Sequence, residues 1–146
     1  MKDFFLDKFE YDLFALRNCI RLIEEQEEQI SEYIKSSVSH IINVHHIWIN
    51  RLKGKTPESN SWDILPVEYL SKLADSNFME TVNYLENHEL NKKINYHSSE
   101  GVKLNKLDID ILYHILNHSN YHRAQIVMDL KQKGLRHPNF NFISYK

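Results

Sequence analysis

The sequence predicts an all-α fold, a four-helix bundle with a short β-hairpin-like insertion before the last helix. Two observations carry this expectation. Glycine and proline number only three each in 146 residues. The long stretches between them repeat apolar residues at steps of three and four, the period of a helix that buries one face. One segment, NKKINYHSSEGVKLNKL, alternates instead around a Ser-Ser-Glu-Gly turn, the pattern of two short paired strands.

The first helix is expected over about Asp3 to Glu25, with Phe5, Phe9, Leu13, Leu16, Ile20 and Ile23 as its apolar stripe. The acidic EEQEEQ that follows reads as a solvated turn or helix end. A second helix runs from about Gln29 to Lys53 and carries Ile34, Val38, Ile41, His45, Trp48 and Leu52 on one face. The polar connection GKTPESNSWDILP has one large anchor, Trp62. A third helix runs from about Pro66 to Asn87; the fixed φ and missing N–H of proline suit a helix start. In the hairpin, Ile94, Tyr96, Val102 and Leu104 alternate with polar residues. The last helix spans about Asp108 to Lys133, with Asp108 placed to cap its start and Gly134 to supply the left-handed residue after its end. Residues 1–146 are of a size for a single domain.

The chain is 42% hydrophobic and 26% charged, the balance of a folded protein rather than a disordered one. A net charge of −2, with no basic run interleaved with aromatics, argues against nucleic acid or an anionic membrane as a partner. No apolar run approaches the ~20 residues of a membrane span. The N-terminal MKDFFLDKFEYD lacks the basic and apolar regions of a signal peptide, so a cytoplasmic location is expected. Cys19 is the only cysteine. That excludes an internal disulfide and a cysteine-built zinc knuckle, and leaves Cys19 as a small buried apolar residue.

Nine histidines are many for this length, and they are unevenly placed. His88, His97 and His137 fall in turns, the hairpin and the tail, where exposure is expected. In HILNHSNYHRAQI, by contrast, His114, His118 and His122 recur every fourth residue. At ~100° per residue they form a column roughly 80° wide. Ile111, Ile115 and Ile126 lie on the same side, so the column faces the core. A buried imidazole nitrogen without a partner costs roughly 1–3 kcal/mol. A shared metal ion satisfies several at once, and i,i+4 spacing presents two imidazoles to one ion. Hydrogen-bonded structural histidines produce the same spacing. On the second helix, SHIINVHHIWINRL, His40 and His45 both flank the apolar face while His46 points away. Periodicity does not choose between His40 and His45. Three neutral imidazoles leave coordination positions open, as in a catalytic site, and they suit zinc, nickel, iron or copper.

These segments, with the Trp-containing connection and the closing GLRHPNFNFISY, resemble the DinB family of the DinB/YfiT-like superfamily over nearly the whole chain. The most specific element is His-x-x-x-His-Arg-x-Gln, here His118, His122, Arg123 and Gln125. The resemblance implies a four-helix bundle in which one histidine of the second helix and two of the last bind a divalent metal, zinc or nickel. The corresponding positions are His40, His118 and His122, with His114 one turn away as a pocket or supporting group. Relatives often form homodimers, and some are called damage-inducible proteins. Two departures stand out. Ala124 replaces a frequent glycine, a mild change on a helix. Asn141 replaces a frequent aspartate, which removes a charge and is expected to weaken any capping or orienting role.

The activity implied by the resemblance is metal-dependent chemistry on a small-molecule substrate. It is either S-transfer or isomerisation with a low-molecular-weight thiol such as bacillithiol or mycothiol, or hydrolysis. An ion with open positions stabilises a thiolate or lowers the pKa of water toward ~7. His45 and His114 are the candidate catalytic proton carriers, since imidazole titrates near neutral pH. Arg123 is expected to brace the bundle, with a substrate anion as its alternative partner. Tyr121, Gln125 and Trp48 are expected in the core or pocket wall. The competing readings are a non-catalytic metal- or small-molecule-binding bundle and a bundle whose histidines are only structural.

Overall fold

The computed structural model describes residues 1–146 as four long helices, a hairpin and a final helical turn. The long helices are α1 (Lys2–Glu25), α2 (Glu32–Leu52), α3 (Val67–Asn87) and α4 (Asp108–Gln132). Strands β1 (Lys93–His97) and β2 (Lys103–Leu107) pair antiparallel before α4, with Asn95 opposite Asn105, and α5 (Phe142–Tyr145) closes the chain. This is the expected bundle with the expected insertion. Around the bundle the order is α1, α3, α2, α4: α1 packs chiefly on α3, and α2 chiefly on α4.

Local chemistry sets the helix ends. Ser31 caps α2, its Oγ accepting from the Ile34 N–H at 3.3 Å, so the helix starts slightly later than its periodicity suggested. Gly134 has φ +66° and follows α4. Its N–H donates to the Lys131 carbonyl while that of Leu135 donates to Leu130, the paired closure that a left-handed residue permits. Asp108 departs from expectation. Leu107 holds the cap position and Asp108 is the first helical residue, fully buried. Its Oδ1 accepts from the N–H groups of Asn91, Lys92 and Ile109 at 2.7–3.1 Å. The carboxylate therefore ties the start of the hairpin to α4, because the donors needing a partner belong to the incoming chain.

Apolar packing divides into two clusters. One joins Leu16, Ile20 and Ile23 of α1 with Ile34, Val38 and Ile41 of α2, Leu70 and Ala74 of α3, and Ile126 and Leu130 of α4. The other joins Phe5 and Phe9 with Ile49, Leu52, Tyr84, Ile111, Leu112 and Ile115. Between them, every long helix contributes buried polar residues: Asp12 from α1, Asn43 and His45 from α2, Asn77 and Thr81 from α3, Ser119, His122 and Arg123 from α4. This middle layer is knitted together. Arg123 Nη1 donates to both Asp12 and Ser119. Asn77 Nδ2 donates to the Ile42 carbonyl at 2.9 Å, and the Thr81 hydroxyl donates to the Asn77 carbonyl at 2.9 Å. Cys19 is buried, as expected, and burial pushes its thiol up to about 12, which leaves it inert as a nucleophile.

Arg123 is 1% exposed and braces α4 against α1. Removing one partner of a buried ion pair strands the other, which costs about 3–5 kcal/mol. Arg123→Met should lower the urea unfolding free energy by about that amount, while the double variant Asp12→Leu, Arg123→Met should recover much of the loss. A loss below about 1 kcal/mol in the single variant would deny the pair this role.

Candidate metal centre

The α2–α4 seam crosses the polar layer, and here three imidazoles meet. His40 comes from α2, while His118 and His122, one turn apart, come from α4. His118 Nε2 lies 3.1 Å from His40 Nε2 and 3.1 Å from His122 Nε2, and all three donor atoms fall within 4.8 Å of one another. Two bonds of ~2.0–2.1 Å at a tetrahedral angle separate their nitrogens by roughly 3.3 Å. Two of the three separations match that spacing, which makes the cluster a candidate site for one divalent ion.

The outward-facing nitrogens decide where the lone pairs point. His40 Nδ1–H donates to the Ser61 carbonyl at 2.7 Å, and His122 Nδ1–H donates to Gln125 Oε1 at 2.9 Å. With the proton on Nδ1, each Nε2 carries its lone pair into the cluster, the usual division of labour for a ligating imidazole. Charge state agrees. Burial, and then His122, His40 and His114, push the His118 pKa down to about 3. Burial also lowers His40 and His122, partly offset by their bonds to Ser61 and Gln125. All three are neutral at neutral pH, the form that binds metal.

The α2–α3 connection is fastened over this cluster. The Trp62 ring lies flat on His40, with centroids 3.6 Å apart and planes 8° from parallel. Trp62 is 57% exposed, so it anchors the connection to the cluster rather than to the core. Two further bonds hold the segment: Asn43 Nδ2 donates to the Asp63 carbonyl at 2.8 Å, and the Leu65 N–H donates to Ser39 Oγ at 3.0 Å.

Of the five histidines singled out in the sequence, His40, His118 and His122 come together. His114 stands beside them, its ring 5.7 Å from that of His118 and 5.2 Å from that of Trp48, and it is solvent-exposed. His45 belongs to a different set of contacts. It is buried, its ring 5.5 Å from Phe9, and its Nε2–H donates to Thr81 Oγ1 at 2.8 Å. His46, His88, His97 and His137 are exposed, as expected. Trp48 is half-buried, and Tyr121 is exposed with its ring edge-on to His122. The tail departure has little consequence for capping. Asn141 Oδ1 accepts from the Ile143 N–H at 3.0 Å and caps α5, a role asparagine fills as well as aspartate. The sequence singled out Gln125 as part of the motif and the pocket wall but not its bond to His122; the Ser61 carbonyl escaped the sequence altogether, being backbone.

A four-helix bundle that gathers three neutral imidazoles from two facing helices is a candidate metal-binding helical protein. The family model described as the DinB family matches residues 22–146, and the chain belongs to the DinB family, which is associated with metal-dependent enzymes. Comparison with curated proteins returned no match. No helix is long and apolar enough to cross a membrane.

Burial pushes the His45 pKa down to about 4, against ~6.5 when unfolded. Between those values the unfolded chain binds more protons, so stability falls as pH drops from about 6.5 to about 4, by on the order of 3 kcal/mol from this residue. His45→Gln should flatten the pH dependence of the urea midpoint across that window. Equal slopes in the two proteins would remove His45 from the account.

Proposed function

We propose that His40, His118 and His122 bind one divalent metal ion, zinc or nickel, through Nε2, and that the chain is a metal-dependent enzyme acting on a small molecule. The observation that carries this is the convergence of three lone pairs, two of them aimed by hydrogen bonds on the far side of the ring. Bound there, the metal supplies a Lewis acid with open positions, which lowers the pKa of a thiol or a water. The chain's own residues do the rest. Ser61 and Gln125 keep two protons on Nδ1. The Trp62 ring covers one face of His40 and excludes water from it. His114, neutral and open to solvent beside His118, is the proton carrier of this proposal. His45, enclosed in the polar layer, serves the fold. The reaction is S-transfer with a low-molecular-weight thiol, or hydrolysis.

Protein purified without an affinity tag should contain one equivalent of zinc or nickel by elemental analysis, and His118→Ala should lose it. A panel of electrophiles and esters then separates the chemistries. Metal-dependent conjugation that requires added thiol identifies a transferase, and thiol-independent turnover a hydrolase. Stoichiometric metal with neither activity supports a binding protein instead. Metal content unchanged in His118→Ala would sink the proposal.

A further inference from the structure

A cavity of about 650 Å³ opens between the second half of α2, residues 56–62 of the connection, and the turn of the hairpin. Both tryptophans of the chain line it, and through them it adjoins the histidine cluster. Trp62 stacks on His40, and Trp48 meets His114 with ring centroids 5.2 Å apart. Arg51 lines the same wall. Its guanidinium is held over the rings of Trp48 and Tyr96, at 4.5 and 5.0 Å from their centroids, a contact that fixes a planar cation.

What Arg51 lacks is an acceptor. Arg17 and Arg123 each pair with an aspartate, whereas Arg51 has no side-chain hydrogen bond; its Nε, like that of Arg123, is buried without a partner. Ser59 lines the cavity as well, and its Oγ is also buried and unpartnered. A buried donor without an acceptor is costly, the more so when it is charged. Glu58 lines the cavity too but does not reach Arg51 within ion-pair distance, and the exposed His97 adds a further lining ring. Two unsatisfied polar groups, one of them part of a positioned guanidinium, thus belong to residues lining one cavity, and the guanidinium fork fits a carboxylate or a phosphate.

We infer that this cavity is the substrate subsite for an oxyanion, with Arg51 and Ser59 binding the anionic end of a small molecule whose other end reaches the three histidines. The second half of that statement rests on the proposed metal function; the anion site does not. Binding follows Arg51 alone in charge and Ser59 in geometry. Lysine at position 51 keeps the charge but loses the two-pronged contact.

Because both tryptophans face the cavity, their fluorescence reports its occupancy. The metal-loaded full chain is titrated at constant ionic strength with succinate and with inorganic phosphate, and with neutral succinamide as control. The two anions distinguish a carboxylate from a phosphate ligand. A saturable change is expected with at least one anion and not with succinamide. Arg51→Met should weaken the apparent affinity at least tenfold with metal content unchanged, Arg51→Lys and Ser59→Ala by less. His118→Ala should lose metal yet retain the anion response, which separates this inference from the metal assignment. No saturable response in the wild type, an equal response to succinamide, or an undiminished one in Arg51→Met overturns it. If Arg51→Met does not fold, unchanged responses in both Arg51→Lys and Ser59→Ala overturn it equally.

Discussion

A polar group taken out of water must find a partner inside, and in this bundle that demand falls on one layer between two apolar ends. Asp12, His45, Asn77, Thr81, Ser119, His122 and Arg123 are all buried there. The ion pair ties α1 to α4, and the chain from His45 through Thr81 to Asn77, with the anchor of Asn77 on the Ile42 carbonyl, ties α2 to α3, so sliding within either pair of helices breaks a bond in the layer. Purely apolar helices would pack with similar density at several offsets; the layer selects one.

The histidine cluster sits where α2 packs on α4. His40 lies on one helix, and His118 and His122 on another, so the spacing of their nitrogens depends on the axial alignment of α2 and α4. The fold also supplies the electrostatics. Desolvation and mutual repulsion keep the rings neutral, and carbonyl acceptors outside the cluster hold two protons away from it. The same surroundings that would destabilise a protonated histidine make a neutral one available as a ligand.

Much of this was legible in the sequence because helix periodicity is a local property. The four helices and the hairpin around its turn follow from spacing, and so does the burial of Cys19. The histidine column faces inward only from His118 to His122; His114, expected on the same side, is exposed, with the half-buried Trp48 its neighbour on α2. The ambiguity between His40 and His45 was physical. Both flank the apolar face of α2, and only the partner helices decide that one meets α4 and the other meets Thr81 on α3. Asp108 was misplaced by one position because two of its three donors lie sixteen and seventeen residues earlier, in a segment no local pattern connects to it. Trp62 gave away its size but not its target. Contacts made through backbone carbonyls, such as that of Ser61, leave no trace in side-chain identity.

The fastening of the α2–α3 connection has a consequence for how the chain tolerates change in length. Ser39, His40 and Asn43 lie close together on α2, and they grip Leu65, Ser61 and Asp63, alternate residues of the connection. Residues 56–58 make no comparable bonds, so insertions or deletions there leave the grip intact. One residue added between Ser61 and Leu65 would put the segment out of step and unhook the His40 ring from its proton acceptor. An alteration that looks like neutral loop drift would then act directly on the basicity of a buried imidazole.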